Sequence, residues 1–386
     1  RILNAGETHT SVVYDNSLYF KFYRKPDRGI NPDVEISHYL SEYAGFAHVP
    51  RFKGSVEWTA ENGSIIFGMM QEMVENHSDA WTYILDRLDD HNERILSSTA
   101  HGMVNDLRGS ITSGVHYDDL PEQARLLFEG QLIERIRLLG TRTAEMHIAL
   151  SNAPDHTAFA PEPYSLHYQR SLYAGLQTLV RGTFQNLAGK LNALPPEMQA
   201  EAREVLEMKN EILTTFKNIY RKKIEVDKIR IHGDYQLNKV LFTGRDFVIT
   251  DFEGDPYRSY SEKRLKRSAL RDVAGMVRSL HQAAFASLFL DNQIRQEDIK
   301  RLIPFAEQWY HYMSGLFVSS YLEKAAGKKF IPADREDLNV LMTTFLLEKA
   351  IYELNRELDT RPEWVIIPLR GIKSILRKEE LELAMV

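Results

Sequence analysis

Short apolar runs rich in Val, Ile, Phe and Tyr mark the first part of the chain, at 11–14, 18–23, 56–58 and 65–70. Asp15-Asn16-Ser17 separates the first two and Asn62-Gly63 the last two, and each reads as a hairpin turn. Between the hairpins, 31–40 predicts a helix. Asn31 is a side-chain acceptor for its N-cap, Pro32 suits the first turn, and Asp33 and Glu35 favour its positive end. The order expected is strand, strand, helix, strand, strand. After Asn76 the apolar spacing changes to a period of about 3.6 residues. That pattern predicts helices over 78–105, 122–150, 164–191, 197–222, 268–290, 296–324 and 334–356, with Pro195-Pro196 marking a turn. Strand-like runs return only at 229–231, 239–242 and 247–250. A small β-rich lobe over residues 1–75 and a large, mainly helical lobe over 76–386 form an α+β, bilobal layout. Such a layout puts a ligand cleft at the lobe junction.

Composition narrows the function classes. The 386 residues are 43% hydrophobic and 26% charged, ordinary values for a globular protein. A net charge of −6 leaves no global basic footprint for nucleic acid. The chain has no cysteine, so disulfides, thiolate metal sites and cysteine nucleophiles are excluded. No apolar run approaches the roughly 20 residues that span a bilayer. No signal peptide is recognised, and a reducing, cytoplasmic setting is expected. The first residue is Arg1 rather than Met, as in a fragment or a processed chain.

The stretch 229–256 carries the chemistry. A strand leads into His232-Gly233-Asp234-Tyr235-Gln236-Leu237-Asn238-Lys239. A short strand, a turn at Gly244-Arg245-Asp246 and another strand then lead to Asp251-Phe252-Glu253. Two carboxylates thus end strands of one antiparallel unit. Phosphoryl transfer needs one group to accept a hydroxyl proton and another to hold Mg²⁺. Asp234 suits the first role and Asp251 the second. Lys21 lies inside an apolar strand, where an ammonium requires anionic partners.

These segments resemble bacterial maltokinases, small-molecule kinases with a protein-kinase-like fold that also occur fused behind trehalose synthase. The resemblance covers nearly the whole chain. It is carried by Gly6-Glu7-Thr8-His9-Thr10-Ser11, Phe20-Lys21-Phe22, Gly29-Ile30-Asn31-Pro32-Asp33-Val34-Glu35-Ile36 and Asp79-Ala80-Trp81-Thr82-Tyr83. It continues with Asp251-Phe252-Glu253-Gly254-Asp255-Pro256, Leu270-Arg271-Asp272-Val273-Ala274-Gly275-Met276, Glu348-Lys349-Ala350-Ile351-Tyr352-Glu353-Leu354 and Arg361-Pro362-Glu363-Trp364-Val365. It implies phosphorylation of maltose to maltose 1-phosphate with ATP and Mg²⁺, and a trehalose synthase as fused or associated partner. Lys21 is expected to hold nucleotide phosphates and to pair with Glu35. The loop from Glu7, with Thr8, Thr10 and Ser11, is expected to cover those phosphates. Residues 71–74, among them Gln71 and Met73, are expected to form the hinge whose backbone reads adenine. Asp272 is expected to brace the catalytic loop, and His147 to sit in the core. Lys349, Tyr352, Glu353 and Arg356 fall at i, i+3, i+4 and i+7 on one helix face. The resemblance makes that face a sugar site. The lobe that precedes Gly6 in maltokinases is mostly missing from the sequence. Other readings are a kinase of another hydroxylated substrate, such as an aminoglycoside, and a silent domain that scaffolds a trehalose synthase.

One position departs from the pattern. Where maltokinases carry a glutamine amide for Mg²⁺, five residues after the catalytic aspartate, this chain has Lys239. An ammonium has no acceptor and cannot ligate a cation. Asn238 supplies the ligand only if the loop shifts register. Three outcomes stay open: Lys239 meets phosphate or the aspartates, a single Mg²⁺ on Asp251 suffices, or activity is impaired.

Overall fold

The computed structural model describes residues 2–3, 8–61, 63–97, 107–153, 156–290 and 294–384. A five-stranded antiparallel sheet is built from β1 (Ile2–Leu3), β2 (His9–Tyr14), β3 (Leu18–Tyr23), β4 (Phe52–Ala60) and β5 (Gly63–Glu72), in the order β1-β2-β3-β5-β4. Asp15 and Asn16 take the left-handed conformation that the tight β2–β3 turn requires. Helix α1 (Pro32–His38) connects β3 to β4. Its cap is the expected one: Asn31 is extended and its side chain accepts from the Asp33 N–H.

The larger lobe opens with β6 (Ser78–Asp79) and α2 (Ala80–Ser97), then α3 (Glu122–Leu127) and α4 (Gly130–Ser151). It continues with β7 (Glu162–Pro163), α5 (Leu166–Lys190), α6 (Pro196–Glu207), α7 (Lys209–Lys217) and β8 (Asp227–Lys228). Strands β9 (Val240–Phe242) and β10 (Phe247–Ile249) follow, then α8 (Tyr260–Lys263), α9 (Leu270–Phe289), α10 (Gln296–Lys324), α11 (Arg335–Thr360) and α12 (Ile366–Ala384). The bilobal α+β layout expected from the sequence is present. The main core runs through the helical lobe and includes Trp309, Leu346 and Leu354. A smaller cluster of Tyr23, Val34, Ile66 and Met69 packs under the sheet.

Several boundaries differ from expectation. The helix read over 122–150 breaks where Phe128 and Glu129 are extended, and the one over 197–222 breaks at Met208, whose ψ is 0°. The run at 229–231 forms only a single bridge, Ile229 to Arg267. Of the 78–105 prediction, 98–105 lies outside the described residues, as do Asn62 of the second hairpin and Gly6 and Glu7 of the expected phosphate loop. No helix among the described residues is long and apolar enough to cross a membrane.

A small sheet ordered β10-β9-β6 positions the chemistry. Phe247, Val248 and Ile249 pair with Phe242, Leu241 and Val240, which brings the loop before β9 beside the loop after β10. Helix α9 packs directly under the first loop: a Cβ on Gly275 would stand 2.7 Å from the Tyr235 carbonyl, so only glycine permits that approach.

Candidate active site

The cleft between the lobes encloses about 990 Å³ and is lined by both loops, the start of β2 and one face of α11. Asp234 and Asp251 stand on its wall.

The Asp234 loop is braced from below. The Asp272 carboxylate accepts the backbone N–H of His232 at 2.7 Å and of Gly233 at 3.0 Å. Gly233 has φ +83°, a conformation that suits glycine. Asp272 also contacts His147 Nε2 at 3.1 Å, and His147 Nδ1 meets the Tyr321 hydroxyl at 2.9 Å, so His147 lies in the core. Burial would raise the Asp272 pKa, but His147, His232 and the Gly233 N–H together hold it below the usual carboxylate value. His232 Nε2 donates to the Thr250 carbonyl, and its Nδ1 accepts from the Asp234 N–H. Burial keeps its pKa low, which favours this neutral tautomer. Asp234 Oδ1 lies 3.5 Å from Lys349 Nζ, and the Gln236 amide donates to Oδ2 at 3.4 Å.

Asp251 has φ +62°, an unfavourable region for a residue with a Cβ. Such strain is found where a side chain must be aimed at a functional position. Its carboxylate is held in direct contact with Lys21, and Lys239 Nζ is 3.6 Å from its other oxygen. Burial would raise the Asp251 pKa; Lys21, Lys239 and His9 more than reverse this and keep it far below the usual carboxylate range.

Lys21 is buried and does not pair with Glu35. Asp33 takes that place, accepting from Lys21 Nζ at 2.9 Å, from the Tyr23 hydroxyl at 2.9 Å and from the Phe252 N–H at 2.9 Å. Burial would lower the Lys21 pKa, but Asp251, Asp33 and Glu253 raise it above the ordinary lysine value. Glu35, two residues further along α1, points instead to Arg230 at 2.7 Å and Arg264 at 2.7 Å.

The other expected residues divide in the same way. Thr8 and Ser11 line the cleft. Thr10 alternates to the opposite face of β2, where its hydroxyl accepts from Arg24. Gln71 sits within the ladder, paired with Tyr19 on one side and Phe52 on the other, and the Met73 N–H donates to the Ser17 carbonyl. Asn238 lines the cleft but is exposed. The register shift it needs does not occur. The Lys239 N–H donates to Gln236, and the Lys239 carbonyl accepts from the Thr250 N–H at 2.9 Å, which locks the turn.

On α11, Lys349, Tyr352 and Arg356 face the cleft. The Tyr352 hydroxyl donates to Asp255 at 3.1 Å. Glu353 does not join them. It is buried against Arg278, accepting from Nε at 3.1 Å and Nη2 at 2.8 Å, because that edge of the helix packs on α9.

Sequence reading missed Asp33, His9, Glu253, Asp255 and Tyr19. His9 Nδ1 is 2.6 Å from Glu253, and a ligand atom from each of His9, Asp251 and Glu253 falls within 4.8 Å of the others. The period-2 alternation of β2 and β3 puts His9 and Tyr19 on the same face as Ser11 and Lys21, and that was the available signal. The carboxylates of Asp251 and Glu253 fit one hard divalent cation such as Mg²⁺. The ammonium at position 239 does not fit a second.

No known protein-family profile matches this chain. A glucosamine kinase of Streptacidiphilus jiangxiensis is 22% identical over 150 residues, which are 38% of this chain and 32% of that protein. The match therefore spans about a third of the curated relative's length. The solved structure of a glucosamine kinase in complex with glucosamine, ADP and inorganic phosphate superposes with a TM-score of 0.70 at 17% identity, covering 100% of this chain and 82% of that one. A second glucosamine kinase structure, crystal form B, gives 0.67 at 17% identity over 95% of this chain and 77% of that one. The chain therefore has a kinase-like fold, with a small antiparallel sheet lobe and a larger helical one. These relatives are glucosamine kinases.

Proposed function

We propose that this protein is an ATP-dependent kinase that phosphorylates a hydroxyl of a small sugar. The observation that carries this reading is that Asp234 and Asp251 line one cleft, with the buried Lys21 in direct contact with Asp251 behind its wall. Lys21, fixed by Asp33, offers its ammonium to the nucleotide phosphates. Asp234 accepts the proton of the sugar hydroxyl. The hydroxyl oxygen then bonds to the γ-phosphorus, and the bond to the ADP oxygen breaks. Asp251, with Glu253 beside it, would hold Mg²⁺, which neutralises phosphate charge when bound. Catalysis is then mainly positioning and charge stabilisation.

The acceptor wall is Lys349, Tyr352 and Arg356 with Asp255. Cations and an acceptor suit sugar hydroxyls, and the Tyr352 ring offers a flat face to a pyranose. With Glu353 in the core, three of the four side chains that favoured maltose remain. Glucosamine, the ligand of the structural neighbour, and maltose are therefore the two leading acceptors. A maltose acceptor would put the chain beside trehalose synthesis, as the resemblance implies.

The test is a panel of glucosamine, maltose, other sugars and an aminoglycoside with Mg-ATP, scored by phosphorylated product. Product is expected with at least one sugar. Asp234→Asn is expected to lower kcat by at least about 10²-fold, the usual worth of a positioned proton acceptor. Turnover retained in that variant removes Asp234 from its role. A chain that neither binds Mg-ATP nor makes product leaves only the silent scaffold.

A further inference from the structure

Lys239 occupies a position where kinase chemistry calls for an oxygen donor. In protein kinases one metal ion binds the aspartate of the metal loop, and the catalytic-loop asparagine holds the other. Here the residue that faces Asp251 from the catalytic loop carries an ammonium, with Nζ 3.6 Å from Asp251 Oδ2. Its backbone is pinned on both sides: the N–H donates to the Gln236 carbonyl, and its carbonyl accepts from the N–H and hydroxyl of Thr250. The neighbouring Asn238 therefore cannot take over the position by a slip of the loop. The other Asp251 oxygen is in contact with Lys21, so each carboxylate oxygen already faces a cation.

An ammonium has three donors and no acceptor, so it repels a divalent ion where an amide would bind one. It nevertheless supplies positive charge where negative phosphate oxygens must approach. We propose that Lys239 replaces one metal ion with a covalently attached cation, so that this protein binds its nucleotide with a single divalent ion at Asp251. The inference rests on the kinase reading above. It makes Lys239 a residue that sets metal stoichiometry and contacts phosphate.

The test counts bound Mn²⁺ by electron paramagnetic resonance in the full chain saturated with AMP-PNP. Wild type, Lys239→Arg, Lys239→Asn and Lys239→Gln are compared, and calorimetry confirms nucleotide binding in each. About one Mn²⁺ per complex is expected for wild type and Lys239→Arg, and about two for the Asn and Gln variants, whose amides restore an acceptor. Two ions in wild type overturn the inference and leave the kinase reading standing. So does a single ion in both amide variants, or a second ion in Lys239→Arg. Wild type that binds no Mn²⁺–AMP-PNP overturns the inference and the kinase reading together.

Discussion

His91 shows how strongly burial acts on single residues here. It lies on the inner face of α2, 2% exposed, with its ring 5.6 Å from that of Phe128. Burial, with help from Arg94, lowers its pKa from 6.5 to about 4. The folded state therefore favours the neutral ring. Its stabilising effect is complete above the unfolded pKa of about 6.5 and is lost as pH falls toward the folded value. Between pH 7 and pH 5 this one group should remove about 2 kcal/mol of stability. Urea unfolding of wild type and His91→Phe at both pH values measures it. The wild type should lose about 2 kcal/mol more than the variant over that interval, and equal losses would show that His91 does not titrate on unfolding. As candidates, Asp234, Asp251 and Lys21 were legible because each breaks a local pattern: a carboxylate close after an apolar run, or an ammonium in an apolar strand. The partner of Lys21 was not. Asp33 and Glu35 both lie in the first turn of α1, and the choice between them depends on how that turn is rotated against the sheet.

Elements were legible where hydrophobic period and turn chemistry agree, as in the β2–β3 hairpin and the Asn31 cap. They were less so where a helix break leaves the apolar period intact, as at Met208. The α11 face shows the same limit on a finer scale. Residues at i, i+3, i+4 and i+7 spread over about 100° of helix circumference, with Tyr352 at one edge and Glu353 at the other. The sequence does not say which edge turns inward. The packing of α11 on α9 turns Glu353 in, against an Arg278 that is 0% exposed. Glu353→Gln should therefore behave as a core substitution. Breaking a buried ion pair on one side costs about 3 kcal/mol, because the other charge stays buried. The unfolding midpoint should drop accordingly, while the KM for the sugar shifts by less than about 2-fold, well under 1 kcal/mol. A large rise in KM with unchanged stability would return Glu353 to the sugar site.

Across the whole molecule, α1 acts as the fastener between lobes. Asp33 ties the sheet lysine to the backbone of Phe252, just after Asp251. One half-turn on, Glu35 receives Arg230, two residues before His232 of the Asp234 loop, and Arg264 from the segment after α8. Burial would raise the Glu35 pKa, and the two guanidiniums more than compensate, so it stays ionised. Arg230 is 1% exposed, and among the described residues its Nε and Nη2 have no partner, so Glu35 carries most of its compensation. Glu35→Gln leaves that guanidinium buried without an anion, and should destabilise the protein by about 3 kcal/mol. Nucleotide affinity should change much less, because Asp33 rather than Glu35 orients Lys21; a Kd rise under about 3-fold is expected, less than 1 kcal/mol. Lys21→Met should weaken nucleotide binding strongly, and because it also leaves Asp33 buried without its cation it should lower stability too. Unfolding curves and nucleotide titrations of both variants separate the two functions of the helix. If Glu35→Gln instead weakens nucleotide binding as much as Lys21→Met and leaves the unfolding midpoint in place, Glu35 is the working partner of Lys21 after all. The division of labour along α1 would then be wrong.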